Sequence, residues 1–388
     1  MKKIYLDHNA TTPLHPEVLE AMLPYFKEKF GNASSIHGFG REAKVALEDA
    51  REKVAEIIGV SSSEIFFTSG GTEADNLAVK GTAFANRKKG KHIVTSKIEH
   101  HAILESCKFL EKEGFEVTYL PVDSQGLVDP EDLRKAIRDD TTLVTIMYAN
   151  NEVGIIQPIE QLCKIAKEKG VYFHTDAVQA VGKAPIELKK LNVDMLSMSG
   201  HKIYGPKGVG ALFIRKGVRI TPLSHGGHHE RSRRAGTENV AGIVGFAKAL
   251  GLVDKEREDQ NKHLKNLTQA FYKKLVESIP DVILNGDLNR RILNTLNLSF
   301  KGVEGESVIL SLDMKGVEVA SGSACTSRTL EPSHVLSAMG VDPAIAQGAI
   351  RFSFGRDNTM EDMEYVANLL PEIVSRLRSM SPIYAKKG

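Results

Sequence analysis

Residues 142–177 read TLVTIMYANNEVGIIQPIEQLCKIAKEKGVYFHTDA, and this stretch decides the fold class. Both of its ends are short apolar runs with many β-branched and aromatic residues, which are typical of buried strands. Between them, residues 160–169 place their apolar side chains on one helical face, and Gly170 follows at the usual position for a helix end. A strand, a helix and a strand in this order predict two parallel strands of one sheet.

The same alternation extends from about residue 60 to residue 215. Other strand-like runs are EIFFTSGG, HIVTSKIEH, EVTYLPVD and DMLSMSG, and a further helix is predicted at 131–138. We therefore expect an α/β domain with a mostly parallel sheet that helices cover on both faces.

The pattern of apolar and charged residues changes at about residue 254. A long charged amphipathic helix is followed by the strand-like runs TLNLSF and AIRFSFG and by a last helix near 360–380, which predicts a smaller α+β domain. We place the large domain at 16–253 and the small domain at 1–15 and 254–388. The run IYLDHNATT near the N-terminus could pair with strands of either domain.

Composition excludes several classes of protein. Of 388 residues, 41% are apolar and 26% are charged, as in an ordinary globular protein of two domains. The net charge of +2 gives no electrostatic case for nucleic acid or for an anionic membrane as the main partner. The first residues carry no apolar signal-peptide core, and no stretch is predicted to span a membrane. Three cysteines form no fully paired disulfide framework, so we expect a reducing, cytoplasmic setting.

One of the three cysteines stands apart from the other two. Cys107 and Cys163 recur with apolar residues at helical spacing, so we expect both in the core. Cys325 lies in VEVASGSACTSRTLEP, residues 317–332, among small and polar residues. No apolar pattern there buries a thiol.

Polar residues follow the predicted strands, where an α/β sheet binds its ligands. Lys202 follows a strand in DMLSMSGHKIYGPKGVG, and a lysine fixed there can form a Schiff base with the aldehyde of pyridoxal phosphate. In FFTSGGTEADN a helix is predicted to start near Thr72, with Thr72 and Asp75 as its N-cap and first turn, so that its free N–H groups face a phosphate. Asp176 ends a buried strand, and its carboxylate either pairs with the pyridinium nitrogen or caps the next helix. Gln179 follows one helical turn later, within reach of the ring hydroxyl.

Three further residues each have a functional and a structural interpretation. His100 follows a strand end and is either structural or a residue that stacks on a ring and moves protons. Asn150 either binds a carboxylate or the cofactor oxygen, or stabilises a turn. Arg351, in the strand AIRFSFGRDN, either grips an α-carboxylate or forms a structural ion pair. The His- and Arg-rich segment 225–234 favours a mobile basic loop over a zinc site, and we expect no metal.

Taken together, these motifs resemble those of pyridoxal-phosphate enzymes with the aspartate aminotransferase fold (fold type I, seven-stranded sheet), and specifically class V cysteine desulfurases of the NifS/IscS group. The resemblance covers essentially the whole chain and rests on these motifs in order: YLDHNATTP, SGGTEADN, EHHAILE, NNEVGIIQPI, HTDAVQAVGK, SGHKIYGPKG, RAGTEN, SGSACTS and IRFSFGR.

The resemblance implies a set of roles. Lys202 would hold the cofactor, Asp176 the pyridine nitrogen and Gln179 the ring hydroxyl, while His100 would stack on the ring. The phosphate would be bound by Thr72, Ser199 and His201, with backbone approach at Gly71 and Gly200, and by Thr237 of a neighbouring subunit in a homodimer. Asn150 and Arg351 would hold the substrate carboxylate.

By the same resemblance, Cys325 is the nucleophile that takes sulfur from L-cysteine, leaves L-alanine and passes its persulfide to an acceptor such as an iron–sulfur scaffold. Three alternatives remain open at this stage. An aminotransferase or a selenocysteine lyase would share the fold, and a non-catalytic assembly partner would keep the fold alone. A nicotinamide dehydrogenase is disfavoured, because no GxGxxG turn follows the first strand.

Overall fold

The computed structural model describes residues 3–322 and 333–380, so Cys325 lies outside the described residues. In these ranges the strands are β1 (Ile4–Tyr5), β2 (Ile65–Thr68), β3 (His92–Ser96), β4 (Glu116–Leu120), β5 (Thr141–Thr145), β6 (Tyr172–Asp176), β7 (Met195–Ser199), β8 (Gly210–Ile214), β9 (Val282–Leu284), β10 (Thr295–Phe300), β11 (Val317–Glu318) and β12 (Ala349–Ser353). The α-helices are α1 (Pro16–Lys27), α2 (Gly38–Ile58), α3 (Gly71–Asn76), α4 (Thr82–Asn86), α5 (His101–Lys112), α6 (Pro130–Ala136), α7 (Ile159–Glu168), α8 (Leu188–Leu191), α9 (Val240–Ser278), α10 (Gly305–Asp313), α11 (His334–Ala338), α12 (Pro343–Ala346) and α13 (Met360–Met380).

The main sheet has seven strands in the order β2-β8-β7-β6-β5-β3-β4. Neighbours are parallel except at β8, which runs antiparallel to both β7 and β2. The connection from β7 to β8 contains no long crossover helix, and a short connection brings the next strand back in the opposite direction. The predicted mostly parallel sheet is therefore confirmed, and strands β5 and β6 with helix α7 form the expected unit, with Val144 opposite Phe173.

The predicted burial of two cysteines is also confirmed. Cys163 lies under the sheet on α7, and Cys107 on α5 packs into the cluster on the other side. Burial raises the pKa of the Cys163 thiol to about 12 and raises that of Cys107 further. Both thiols therefore stay protonated and unreactive at neutral pH.

Helix α9 joins two separate cores. Its first half contributes Phe246 and Leu250 to the core of the large sheet, and its second half contributes Phe271 and Leu275 to a second core. The sequence predicted a helix only from about residue 254, because the preceding run is nearly all apolar; the structure has one helix of 39 residues. Within residues 3–322 and 333–380, no helix is long and apolar enough to cross a membrane.

The second core contains two small sheets. Strands β9, β10 and β12 form an antiparallel sheet, and β1 pairs with β11 in parallel. The run IYLDHN thus pairs with C-terminal strands: Ile4 lies opposite Val317, and Asp7 bridges to Ser353. This pairing answers the question that the sequence left open. Strands β9 and β11 were not predicted, since each has only two or three residues.

The segment 225–234 is tied to the fold more closely than the expected mobile basic loop. Glu230 is 6% exposed and accepts hydrogen bonds from both terminal nitrogens of Arg51, at 2.7 and 2.8 Å, and from the backbone N–H of Phe67 at 2.9 Å. Arg234 donates to Glu73 at 2.8 Å. Three successive residues, Glu230 to Ser232, have positive φ angles between 45° and 64°, a costly conformation that the buried ion pair holds in place.

Candidate active site

The residues singled out from the sequence meet at one edge of the large sheet. The carboxyl ends of its parallel strands place Gly71 and Thr72 after β2, His100 after β3, Asn150 after β5, Asp176 and Gln179 at and after β6, and Ser199, Gly200, His201 and Lys202 at and after β7. The expected position of a ligand site in an α/β sheet is therefore where the unusual residues lie.

Lys202 stands in a short 3₁₀ turn directly after β7. Its Nζ donates hydrogen bonds to the backbone carbonyl of Asn9 and, at 2.7 Å, to that of Ala10. The pKa values of His100 and His201 are lowered to about 4, first by burial and next by the charge of Lys202. Lys202 thus lies among side chains from several strand ends.

Asp176 is a buried carboxyl group, and a buried carboxylate is stabilised by a neighbouring cation. Burial raises its pKa to about 6, while a backbone hydrogen bond from Val178 (2.9 Å) and the charge of Lys202 act in the opposite direction. Behind it, burial and the neighbouring Asp176 hold the pKa of the Asp75 carboxyl well above its usual range. A protonated pyridine nitrogen would add a positive charge beside Asp176, so the residues present fit the ring of pyridoxal phosphate.

The turn after β2 forms a cradle of backbone. Gly70 is the N-cap of α3, with φ 152°, and no side chain caps the helix. A Cβ on Gly71 would stand 2.7 Å from Val178 Cγ2, so only glycine leaves this surface open. The Ser199 hydroxyl is buried beside it and has no hydrogen-bond partner among the described residues. These groups fit a phosphate.

The predicted cap at this turn is wrong in detail. Helix α3 begins at Gly71, so Thr72 lies inside the first turn and is exposed, and Asp75 is buried instead of lying in an open first turn. The reason is that Gly70 adopts a conformation closed to residues with a Cβ and so occupies the cap position itself. Thr72 remains beside the cradle.

His100 and Gln179 have defined orientations. His100 caps α5: its Nδ1 accepts the N–H of Ala102 at 3.1 Å, so the neutral ring carries its proton on Nε2. Gln179 is 5% exposed, and its Nε2 donates to the Asn9 carbonyl at 2.9 Å.

Asn150 and Arg351 both show the structural interaction considered from sequence. Asn150 Oδ1 accepts the N–H groups of Glu152 (2.8 Å) and Val153 (3.0 Å), which is turn chemistry. Arg351 is buried and forms an ion pair with Asp7 at 2.6 Å, yet its Nε has no hydrogen-bond partner among the described residues. Substrate binding by either residue stays a prediction.

The remaining predicted site residues lie around this centre or outside it. His201 Nδ1 contacts the Thr11 hydroxyl at 3.2 Å, and the Gly200 N–H is taken by the Val209 carbonyl at 3.0 Å. Thr237 is exposed in the segment after Arg234. No group of three or more metal-ligating side chains occurs in the described ranges, and His228 and His229 make hydrogen bonds within their own loop.

Sequence reasoning assigned no role to three residues at the site, although Glu152 was noted beside Asn150 after a buried strand. Asn9 accepts Lys202 and Gln179 on its carbonyl and donates to Thr295 at 2.8 Å, and the motif YLDHNATTP was the available signal. Lys183 ends the motif HTDAVQAVGK and lies beside Gln179. Glu152 is buried, burial raises its pKa, and it accepts a hydrogen bond from Ser333 at 2.5 Å.

A lysine directly after a strand, a buried carboxyl group and an open backbone cradle that fits a phosphate meet at one sheet edge, and this combination is typical of pyridoxal-phosphate enzymes. Residues 4–366 match the family model described as aminotransferase class-V. The chain belongs to this family, and it is a pyridoxal-phosphate-dependent enzyme of the fold type I class.

Three similar proteins illustrate the match. The chain is 58% identical to a cysteine desulfurase IscS of Dictyoglomus turgidum, over 98% of this chain and 97% of that one. A solved NifS-like protein superimposes with a TM-score of 0.92 at 45% identity, covering 97% of this chain and 100% of the other. A structure described as SspA in complex with cysteine superimposes with a TM-score of 0.81 at 37% identity, covering 91% and 99%. The resemblance inferred from the motifs is confirmed.

Proposed function

We propose that the protein is a cysteine desulfurase, which removes sulfur from L-cysteine and leaves L-alanine. The observation that carries this function is the convergence of Lys202, Asp176 and the Ser199 cradle at one sheet edge, in a chain 58% identical to a cysteine desulfurase. Retention of these groups speaks against a non-catalytic assembly partner.

Bound pyridoxal phosphate supplies an electron sink that weakens bonds around the substrate α-carbon. Lys202 would hold the cofactor and move the α-proton on its Nζ, while Asp176 would stabilise the positive ring nitrogen. His100 would stack on the ring, and its neutral ring, with Nδ1 taken by the N–H of Ala102, keeps an N–H donor at Nε2. Thr72, Ser199, His201 and, from a second subunit, Thr237 would bind the phosphate, with Gly71 and Gly200 allowing close backbone approach.

The substrate carboxylate is assigned to Arg351 and Asn150. The buried Arg351 Nε supports this assignment, because an arginine with an unused donor retains capacity for an anion. Cys325 would attack the substrate sulfur as a thiolate, break the carbon–sulfur bond and carry the sulfur as a persulfide to an acceptor such as an iron–sulfur scaffold protein.

A homodimer is part of the proposal. Thr237 is exposed, as a residue that serves a neighbouring subunit would be in a single chain. A cluster of large apolar side chains on α1, α2 and their connection is also exposed: Phe26, Phe30, Ile36 and Phe39 are 62%, 67%, 91% and 51% exposed. Apolar patches of this kind are typical of interfaces.

The domain boundaries and the compartment are proposed on related grounds. The large domain is 16–253, and the small domain is 1–15 with 254–388; the separation of the two cores supports this division, with α9 crossing the boundary. Cysteine usage favours a reducing compartment such as the cytoplasm, because the three cysteines cannot all pair and two of them are buried free thiols.

The decisive experiment compares purified variants incubated with L-cysteine and a reductant. Cys325→Ala should bind pyridoxal phosphate yet release neither alanine nor sulfide, and full turnover would refute the role of Cys325. Cys163→Ala, which removes a buried thiol, serves as the matched control and should keep its activity. Lys202→Ala should lose the covalent cofactor absorbance. Turnover of a keto acid or of selenocysteine in preference to cysteine would favour an aminotransferase or a selenocysteine lyase.

A further inference from the structure

Lys183 is a partly buried lysine at the site that none of the proposed steps uses. Its Nζ donates to Gln179 Oε1 at 2.9 Å and lies 3.4 Å from Asn9 Oδ1. The charged and titratable groups that face it are Lys202, Arg351, His8 and His201. A cation among other cations is costly, so this position needs a physical reason.

The hydrogen bonds of Gln179 suggest that reason. A side-chain amide presents an oxygen on one side and an NH₂ group on the other, and the two orientations differ only in their partners. Here the Lys183 donor occupies Oε1, and the Asn9 carbonyl accepts one N–H of Nε2 at 2.9 Å. Rotation of the amide by 180° would set donor against donor and acceptor against acceptor.

Of the two contacts that orient the Gln179 amide, only the one with Lys183 does not also involve Lys202. The Asn9 carbonyl is shared, since Lys202 donates to it as well. Lys183 keeps N–H groups to donate both as an ammonium ion and as a neutral amine, although burial lowers its pKa to about 7. The hydrogen bond from Lys183 to Gln179 Oε1 therefore persists on both sides of neutral pH.

We infer that Lys183 is a positioning residue: it fixes the Gln179 amide so that an N–H, and not the carbonyl oxygen, is presented to the ring oxygen of the cofactor. The inference rests on the proposed function, in which Gln179 meets that oxygen. An N–H donor stabilises the anionic ring oxygen. It therefore lowers the proton affinity of that oxygen when the cofactor is bound to Lys202. A carbonyl oxygen in the same place would repel it.

The test is a pH titration of cofactor absorbance in purified holoenzyme. Lys183→Met removes the donors and keeps the side-chain length, and it should raise the titration midpoint by about one pH unit, a tenfold change in proton affinity. Gln179→Ala should raise it similarly. Lys190→Met, which removes a lysine 71% exposed on α8, is the matched control and should leave the midpoint unchanged.

A double-mutant cycle separates orientation from charge. If Lys183 acts through Gln179, adding Lys183→Met to Gln179→Ala produces no further shift. An equal shift in both backgrounds means that the charge acts alone and overturns the inference, as does an unchanged midpoint in Lys183→Met. Lys183→Arg retains N–H donors and should titrate closer to wild type than the methionine variant does; an equal shift would also count against the positioning role.

The two proposals fail in different ways. A wild-type protein that takes up no pyridoxal phosphate refutes the proposed function itself. A wild-type protein that binds the cofactor, together with a Lys183→Met variant that binds it with the same midpoint, refutes only the role of Lys183.

Discussion

Replacing Glu230 by alanine should destabilise the protein strongly, although Glu230 touches none of the proposed catalytic groups. The substitution leaves the Arg51 guanidinium, 4% exposed, without its bidentate partner and leaves the Phe67 N–H unpaired. Breaking a buried pair in this way costs about 3–5 kcal/mol. With an unfolding entropy of about 2.1 cal/mol/K per residue, 388 residues give roughly 0.8 kcal/mol/K, so Tm should fall by about 4–6 °C.

The chain offers a matched control on the same arginine. Glu48 contacts Arg51 Nε at 3.3 Å, but its side chain is 35% exposed, and exposed pairs contribute at most about 1 kcal/mol. Glu48→Ala should therefore shift Tm by no more than about 1 °C. Differential scanning calorimetry at constant scan rate measures both shifts. Equal shifts in the two variants, or a fall of less than about 1 °C in Glu230→Ala, would show that the buried geometry does not carry the stability assigned to it.

Two further predictions concern the contribution of buried groups to stability. Gly322→Ala places a Cβ 2.2 Å from Glu152 Oε2, which is buried and accepts a hydrogen bond from Ser333, so the carboxylate has to break that bond to move aside. We expect the free energy of unfolding in denaturant to fall by about 1–3 kcal/mol, and wild-type stability would contradict this contact. Burial lowers the pKa of His174 to about 3, so its stabilising contribution is complete above the unfolded value of about 6.5 and is lost as pH falls toward 3. Between pH 6 and pH 5, the unfolding free energy of wild type should fall relative to His174→Gln by about 1 kcal/mol per pH unit, and parallel curves would exclude proton linkage at this ring.

The parts of the fold that the sequence predicts are those with strong periodicity. Strands β2 to β7 and helices α6, α7 and α13 carry enough apolar residues at a regular spacing to be recognised, and the strands fix the sheet edge at which the site forms. Helix α9 was underestimated because its N-terminal half is buried on several faces, so its pattern lacks the polar side that marks a surface helix. The short strands β9 and β11 owe their conformation to pairing partners distant in the chain.

For the site, residue type and strand-end position sufficed to locate Lys202, Asp176 and His100. The partners of polar side chains could not be read in the same way. Nothing in the neighbourhood of Asn9 indicates that its carbonyl accepts two side chains from beyond residue 178, and nothing around Arg351 indicates that Asp7 is its ion-pair partner. Such contacts depend on how the two cores meet, which local patterns do not specify.

The pairing of residues 6–9 with strand β12 has a consequence for biosynthesis. The Asn9 N–H bonds to Ser353, and Asp7 pairs with Arg351, each across 344 residues of sequence. A ribosome makes the N-terminal partner first and holds the C-terminal one back until the chain is nearly complete. Since Asn9 also holds Lys202 and Gln179 by its carbonyl, a nascent chain can form the large sheet early but has no finished cofactor site. Uptake of the cofactor should therefore mark a chain whose synthesis has passed β12.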